Sequence, residues 1–273
     1  MPIITLTTDM GTRDHYVAVV KAAIAQQAPE ATVIDITHHI TPFHTAQAAF
    51  VVRNAYPAFP KGSIHIIGVN PEADALTAHV VARHNGHHFI GADNGLFPLL
   101  LQGKPEEAFE ITMRLDDHHA AFPVKTVLVK AACHLARGGT AETIGRRMNT
   151  LRELIGFAPT IMKDAIVGRA VHIDHYGNVM TNIERGLFEE LCGGRPFRIR
   201  FGREAYDLTR IHTTYGDVAN GVCLAFFNSS GHLEIAINKG AEGSGGGAAQ
   251  LLGLRENDAV RIEFGGRGKA GKD

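Results

Sequence analysis

The sequence predicts a two-part α/β chain, with an N-terminal α/β domain over residues 1–160 carrying a mostly parallel sheet and a smaller antiparallel β-barrel domain over residues 161–273. Three observations predict it. Strand, loop and helix patterns follow one another repeatedly from residue 3 onward, as βα units joined by right-handed crossovers require. Between 149 and 164 the pattern weakens around Pro159. From residue 166 the apolar runs become short and are separated by Gly, Asn and Asp, the mark of a small barrel or sandwich.

The elements follow in order. An apolar run at 3–6 leads through the loop 7–16 into an amphipathic stretch at 17–28, and a β-branched run at 32–37 leads through 38–44 into a helical pattern at 45–58. Residues 63–69 are nearly all apolar, which suits a strand covered on both faces. Asn85-Gly86 between two alternating runs, 79–83 and 87–91, is a hairpin signal and adds an antiparallel ribbon to the sheet. A polar turn at 91–95 feeds a short apolar helix at 96–101, and 107–112 reads as a further strand. A helix is expected at 124–138, ended by Gly138-Gly139, and another at 140–148 with Thr140 as its N-cap. Six short strands are expected in the second part, at 168–173, 179–183, 197–201, 222–226, 233–237 and 259–264. Residues 239–247, rich in glycine, read as a mobile loop and 265–273 as a frayed tail.

Composition removes several classes of function. The chain has 273 residues, 45% of them hydrophobic, enough for a real core. Lys plus Arg number 27 against 28 Asp plus Glu, so no global charge favours nucleic acid or an anionic membrane. No apolar run approaches the roughly 20 residues of a membrane span, and Cys133, Cys192 and Cys223 are widely spaced in apolar surroundings. A cytoplasmic protein with buried thiols is expected. The sixteen histidines include the adjacent pairs His38-His39, His87-His88 and His118-His119, but none of these pairs shows helical zinc-site spacing, so no metal is expected.

Three loops carry chemistry. Thr7 to Tyr16 places Asp9 and Asp14 around Gly11 at the end of a first strand, where open α/β sheets bind ligands. Two carboxylates without a GxGxxG suit hydroxyls or an amine better than a phosphate; otherwise Asp14 caps the helix and Asp9 completes a turn. The cluster from Asp174 to Asn182 holds either a tight turn or a ligand. Asp174 can accept from an ammonium, Asn178 can read an adenine edge, and Tyr176 offers a stacking face. Asn228-Ser229-Ser230-Gly231, leading through a strand to Asn238, could hold a carboxylate or form an ordinary turn.

Together these residues resemble the family that contains fluorinase and chlorinase, whose commoner members are S-adenosylmethionine (SAM) hydrolases, also called SAM hydroxide adenosyltransferases. The likeness spans nearly the whole chain. It is carried by Thr8-Asp9-Met10-Gly11 with Asp14 and Tyr16, Asp93-Asn94-Gly95-Leu96, Ala131 to Ala136, Asp174 with Gly177-Asn178 and Thr181-Asn182, and Asn228-Ser229 through Asn238. The resemblance implies an α/β domain and a β-barrel domain in a homotrimer, with the ligand between subunits, SAM or adenosine as partner and no cofactor beyond SAM as substrate. It implies that Asp9 holds the ribose hydroxyls, Asp174 the methionine amine, Ser229 the carboxylate and Asn178 an edge of adenine. Phe43, Phe122 and Tyr215 would supply apolar and stacking walls.

The implied reaction is in-line displacement of L-methionine at the ribose C5′ by water, giving adenosine. The leaving group departs as a neutral thioether, so positioning outweighs acid or base help. The family's water-activating Asp, Arg and His trio, aligned without gaps, falls on Asn70, Thr77 and Pro123, none of which carries the same charge or proton. Two alternatives accompany the hydrolase: a binding protein for SAM or adenosine that has lost the chemistry, and a halogenase. The halogenases place a serine hydroxyl near Val124, which offers no such donor.

Overall fold

The computed structural model describes residues 1–72, 77–113, 121–153, 158–202, 206–240 and 246–265. The chain divides into two compact units, Met1–Ile155 and Gly156–Asp273. The first unit holds a seven-stranded sheet of β1 (Ile3–Thr8), β2 (Thr32–Thr37), β3 (Ile64–Gly68), β4 (His79–His84), β5 (His87–Ala92), β6 (Glu107–Ile111) and β7 (Gly145–Arg147), in the order β2-β1-β3-β5-β4-β6-β7. The ladders β1·β2, β1·β3 and β3·β5 are parallel, while β4·β5, β4·β6 and β6·β7 are antiparallel.

The sheet is therefore mixed, which corrects the expectation of a mostly parallel one. Asn85 and Gly86 both take positive φ, 51° and 80°, and reverse the chain in two residues. β4 is thereby laid antiparallel beside β5, and β6 and β7 extend the reversed edge rather than the parallel one.

Helices α1 (Tyr16–Gln27), α2 (Thr45–Ala55), α3 (Leu96–Leu101) and α4 (Val129–Ala136) complete the unit, with a π-helical turn at Val124–Leu128 leading into α4. Val20 and Ile24 of α1 and Ala131 and Ala132 of α4 pack with Ile4, Leu6, Ile64 and Ile66 of the parallel strands. Removing these side chains from water drives the assembly. The α1 N-cap is His15, without a side-chain bond, so Asp14, which is exposed, does not cap the helix. A polar seam also crosses the sheet. Thr5 Oγ1 lies 2.8 Å from His65 Nδ1, His65 Nε2 lies 3.2 Å from His87 Nδ1, and the rings of Tyr56, Phe59 and Phe89 surround His65.

The helix expected at 140–148 is not formed. A 3-10 turn, Ala141–Thr143, passes directly into β7, and Thr140 makes no side-chain cap. Pairing with β6 overrides the local helical signal. Arg146 sits opposite Glu110 with its guanidinium 2.7 Å from that carboxylate, and a Cβ on Gly145 would lie 2.4 Å from the Glu110 carbonyl oxygen. Gly145→Ala is expected to separate β7 from β6 and lower the unfolding free energy by about 1–3 kcal/mol, read from the midpoint of chemical denaturation. An unchanged midpoint would contradict this packing.

The second unit is one nine-stranded, nearly barrel-shaped sheet. Its strands are β8 (Thr160–Met162), β9 (Ala165–Ile173), β10 (Val179–Glu184), β11 (Phe197–Phe201), β12 (Tyr206–Leu208), β13 (Ile211–His212), β14 (Cys223–Phe227), β15 (His232–Ile237) and β16 (Ala259–Phe264). They run in the order β12-β11-β16-β9-β10-β15-β14-β13, with β8 beside β9. Among the described ladders of this unit only β13·β14 is parallel. The interior is filled by Ile166, Val179, Ile183, Ile199, Ile235, Val260 and Ile262, and helices α5 (Arg185–Cys192) and α6 (Ala248–Leu251) accompany the sheet. The expected loop at 239–247 and tail at 265–273 fall largely on residues 241–245 and 266–273, outside the described residues. Among the described residues no helix is long and apolar enough to cross a membrane.

Candidate functional site

In the first unit the polar groups gather where β1 ends. Beyond Thr8, Asp9 is half-buried and its Oδ2 accepts the backbone N–H of Phe43 at 2.9 Å and of Asn70 at 3.3 Å. One carboxylate oxygen thus ties together the segments that follow β1, β2 and β3. Both donors belong to residues with positive φ, 65° at Phe43 and 45° at Asn70, which turn the two N–H groups inward. Oδ1 is left outside these bonds. The Phe43 ring is 71% exposed, while Phe122 is half-buried and meets Tyr16 edge-on at 5.5 Å.

The three positions that the resemblance aligns with the water-activating trio hold Asn, Thr and Pro, none of them an ionisable side chain. Asn70 accepts through its carbonyl from Asn94 Nδ2 at 3.0 Å, Thr77 is buried, and Pro123 is buried as the N-cap of the π-helical turn. Val124, fully buried, fills the adjoining space. A Cβ on Gly68 would lie 2.7 Å from its Cγ2, so the glycine is what lets this methyl reach the end of β3.

In the second unit a cavity of about 960 Å3 is lined by Tyr176, Asn178, Tyr215 and Asn238, together with His175 and Lys239. Four sequence-predicted residues thus share one wall. The turn between β9 and β10 is fixed by Asp174. Its carbonyl accepts Gly177 N–H, Oδ1 accepts Asn178 N–H at 2.8 Å and Oδ2 accepts Asn178 Nδ2 at 3.1 Å. Gly177, at φ 78°, seats against Gly247, where a Cβ would come within 2.9 Å of backbone. The Asx turn and the candidate ligand loop are therefore the same object. Tyr176 is 78% exposed at its tip.

A chain of partly buried hydrogen bonds runs inward from the cavity lining to Glu234. Asn178 Nδ2 also donates to Tyr215 Oη at 3.2 Å, Tyr215 donates to Glu234 Oε1 at 2.8 Å, and Asn228 Nδ2 donates to Glu234 Oε2 at 3.0 Å. Glu234, 2% exposed on β15, has its acid raised by burial above the ordinary range, although its two donors oppose the shift. Burial first, and then Glu234, push the Tyr215 phenol well above its ordinary value, so it remains a neutral donor. Asn238 donates Nδ2 to the Val218 carbonyl at 2.7 Å. Ser229 is exposed in the turn after β14 and lies outside the cavity lining, whereas Asn228 holds that turn through Oδ1 to the N–H groups of Ser230 and His232.

Residues 4–145 match the model of the SAM hydroxide adenosyltransferase N-terminal domain, and residues 168–261 match that of the C-terminal domain. The chain belongs to the SAM hydroxide adenosyltransferase family. Among curated relatives of this family member, (R)-S-adenosyl-L-methionine hydrolase of Thermus thermophilus is 31% identical over 269 residues, covering 93% of this chain and 97% of the relative. The protein of the same name from Salinispora tropica is 30% identical, covering 97% and 98%. A fluorinase of Nocardia brasiliensis is 27% identical, covering 87% and 90%. The crystal structure of an uncharacterized conserved protein from Thermotoga maritima superposes with a TM-score of 0.84 at 30% identity, covering 96% of this chain and 99% of that one.

Glu234, His175 and Lys239 escape sequence reading. A glutamate inside the apolar run of β15 was the available signal for the first, since a charged residue rarely points into a core without partners. His175 and Lys239 flank residues that were identified, and only the folded turn shows that they line the same cavity.

Proposed function

We propose that this SAM hydroxide adenosyltransferase family member cleaves SAM to adenosine and L-methionine, with water as the nucleophile. The observation that carries the proposal is Asp9, a carboxylate fixed at a strand end by two backbone donors with one oxygen left over, in a chain of this family. Asp9 Oδ1 would take the ribose hydroxyls, Asn178 an edge of adenine beside Tyr176 and Tyr215, and Asp174 the methionine ammonium. Phe43 and Phe122 would wall the ribose, Ser229 and Asn238 would serve the methionine and adenine ends, and the unit of function would be a homotrimer with each ligand bounded by two subunits.

The water oxygen bonds to C5′ as the C5′–S bond breaks, and the electron pair passes to sulfur, neutralising the sulfonium. The water proton leaves to solvent. No cofactor enters this balance. With asparagine, threonine and proline at the trio positions no side chain there takes that proton, so the rate rests on alignment and on excluding bulk water. Val124, seated against Gly68, offers no donor for a halide where halogenases carry a serine hydroxyl, which leaves water as the nucleophile.

Incubation with SAM followed by chromatography is expected to show adenosine and methionine in equal amounts. Asn70→Asp, which returns a carboxylate to the first trio position, is expected to raise the rate on the order of a hundredfold, the lower end of general-base assistance. Binding of SAM without adenosine formation in either protein would replace the enzyme by a binding protein, and a halogenated nucleoside formed with chloride would replace water as the nucleophile.

A further inference from the structure

The residue before Asp9 is tied to a buried histidine that the reaction does not use. Thr8, 1% exposed, has Oγ1 2.9 Å from His38 Nδ1, and His38, itself 4% exposed, has Nε2 3.1 Å from Asp35 Oδ1. Asp35 in turn receives Lys21 Nζ on Oδ2 at 2.6 Å, at the protein surface. These residues form a file from α1 through β2 to the end of β1.

The proton positions follow from the donors present. Nε2 faces the Asp35 carboxylate, which can only accept, so Nδ1 is left as the acceptor of the Thr8 hydroxyl proton, while Thr8 Oγ1 also takes the Met10 N–H at 3.4 Å. The ring proton then sits on Nε2, facing the Asp35 carboxylate. That contact lies off the line of a good hydrogen bond, so it orients the ring electrostatically. Although burial opposes it, the hydrogen bond from Lys21 and the adjacent His38 ring hold the Asp35 acid below its ordinary range, so the carboxylate facing the ring is charged.

Resemblance to a hydrolase Asp-His-hydroxyl triad stops at burial, because Thr8 Oγ1 is closed off and cannot attack anything. Its location gives it another use. The Thr8 hydroxyl bridges Met10 N–H and His38 across Asp9, the Thr8 carbonyl accepts Ile40 N–H at 3.3 Å, and Gly11 N–H donates to the His38 carbonyl at 2.7 Å. The backbone on both sides of Asp9 is thereby fastened to the segment containing His38.

We propose that His38 is a positioning residue, which holds the Thr8 hydroxyl and so fixes the backbone from which the Asp9 carboxylate reaches the ribose diol. This rests on the assignment of Asp9 to the ribose, and the test separates the two. Calorimetric titration compares adenosine with 2′,3′-dideoxyadenosine, which keeps the base and lacks both hydroxyls, in the full chain and in His38→Ala and Thr8→Val. Thr8→Val nearly preserves buried shape and removes only the hydroxyl, so it guards against a His38 variant that fails to fold.

The wild-type protein is expected to prefer adenosine. In either variant the affinity for adenosine is expected to fall about tenfold while that for the dideoxynucleoside is unchanged, since only interactions through Asp9 are lost. Equal weakening of both nucleosides would reduce His38 to a structural role and overturn the proposal. Full discrimination retained in both variants would also overturn it, with the ribose role of Asp9 intact. Wild-type protein that binds both nucleosides equally would overturn the ribose role of Asp9 and this assignment with it.

Discussion

Replacing Asp9 by alanine is expected to weaken adenosine binding by roughly 2–4 kcal/mol, about 30- to 1000-fold, because a carboxylate accepting hydroxyls makes charge-assisted bonds. Calorimetric titration with adenosine reads the loss. Two effects add. The ribose loses its acceptor, and the N–H groups of Phe43 and Asn70, which share Oδ2 at 2.9 and 3.3 Å, lose the group that gathers them. Asp9→Asn separates these effects, since its amide oxygen can keep the backbone donors while the charge is gone. An alanine variant that binds adenosine as tightly as the parent would remove Asp9 from the site.

Acidification is expected to destabilise the first unit through His65. Burial first, and the neighbouring His87 and His88 next, lower this imidazole from the ordinary 6.5 to about 3. The folded-state value is the depressed one. Between about pH 6.5 and 3 the unfolded chain therefore binds a proton that the folded chain refuses, so stability is intact above this window and falls as pH drops through it. The full shift corresponds to on the order of 5 kcal/mol for this fully buried ring. Urea denaturation at neutral pH and near pH 4 measures the difference. In His65→Gln the drop between the two pH values is expected to shrink by about half or more, whatever the variant's stability at neutral pH. An unaltered drop would place the acid sensitivity elsewhere.

Much of the architecture is legible in local pattern. Runs of β-branched and apolar residues mark β1 to β6 and the six long strands of the second unit, and Asn85-Gly86 marks its hairpin without help from the rest of the chain. Elements that depend on a distant partner are not legible. β7 is decided by a ladder to Glu110 and neighbours more than thirty residues away, and β8, β12 and β13 are only two or three residues long, too short for an alternation to show. At the site, Asp9 and the Asp174 to Asn178 turn announce themselves because polar residues cluster where apolar strands end. Glu234 does not. Its partners Tyr215 and Asn228 lie on separate loops, and only folding converts an isolated acid in an apolar strand into the anchor of a cavity wall.

That wall has a polarity of its own. Both amide protons of Asn178 go inward, to Asp174 and to Tyr215, and the Tyr215 proton goes on to Glu234. What Asn178 has left to offer is Oδ1, a lone-pair oxygen. On the proposed assignment of Asn178 to an edge of adenine, a purine carrying an exocyclic amine would meet a complementary group there. Its deaminated counterpart brings a carbonyl to the same place, oxygen against oxygen, with no proton between them. On that assignment the bonds ending at Glu234 would favour an amino over an oxo group at this point of the cavity, through the direction of three hydrogen bonds rather than through its size.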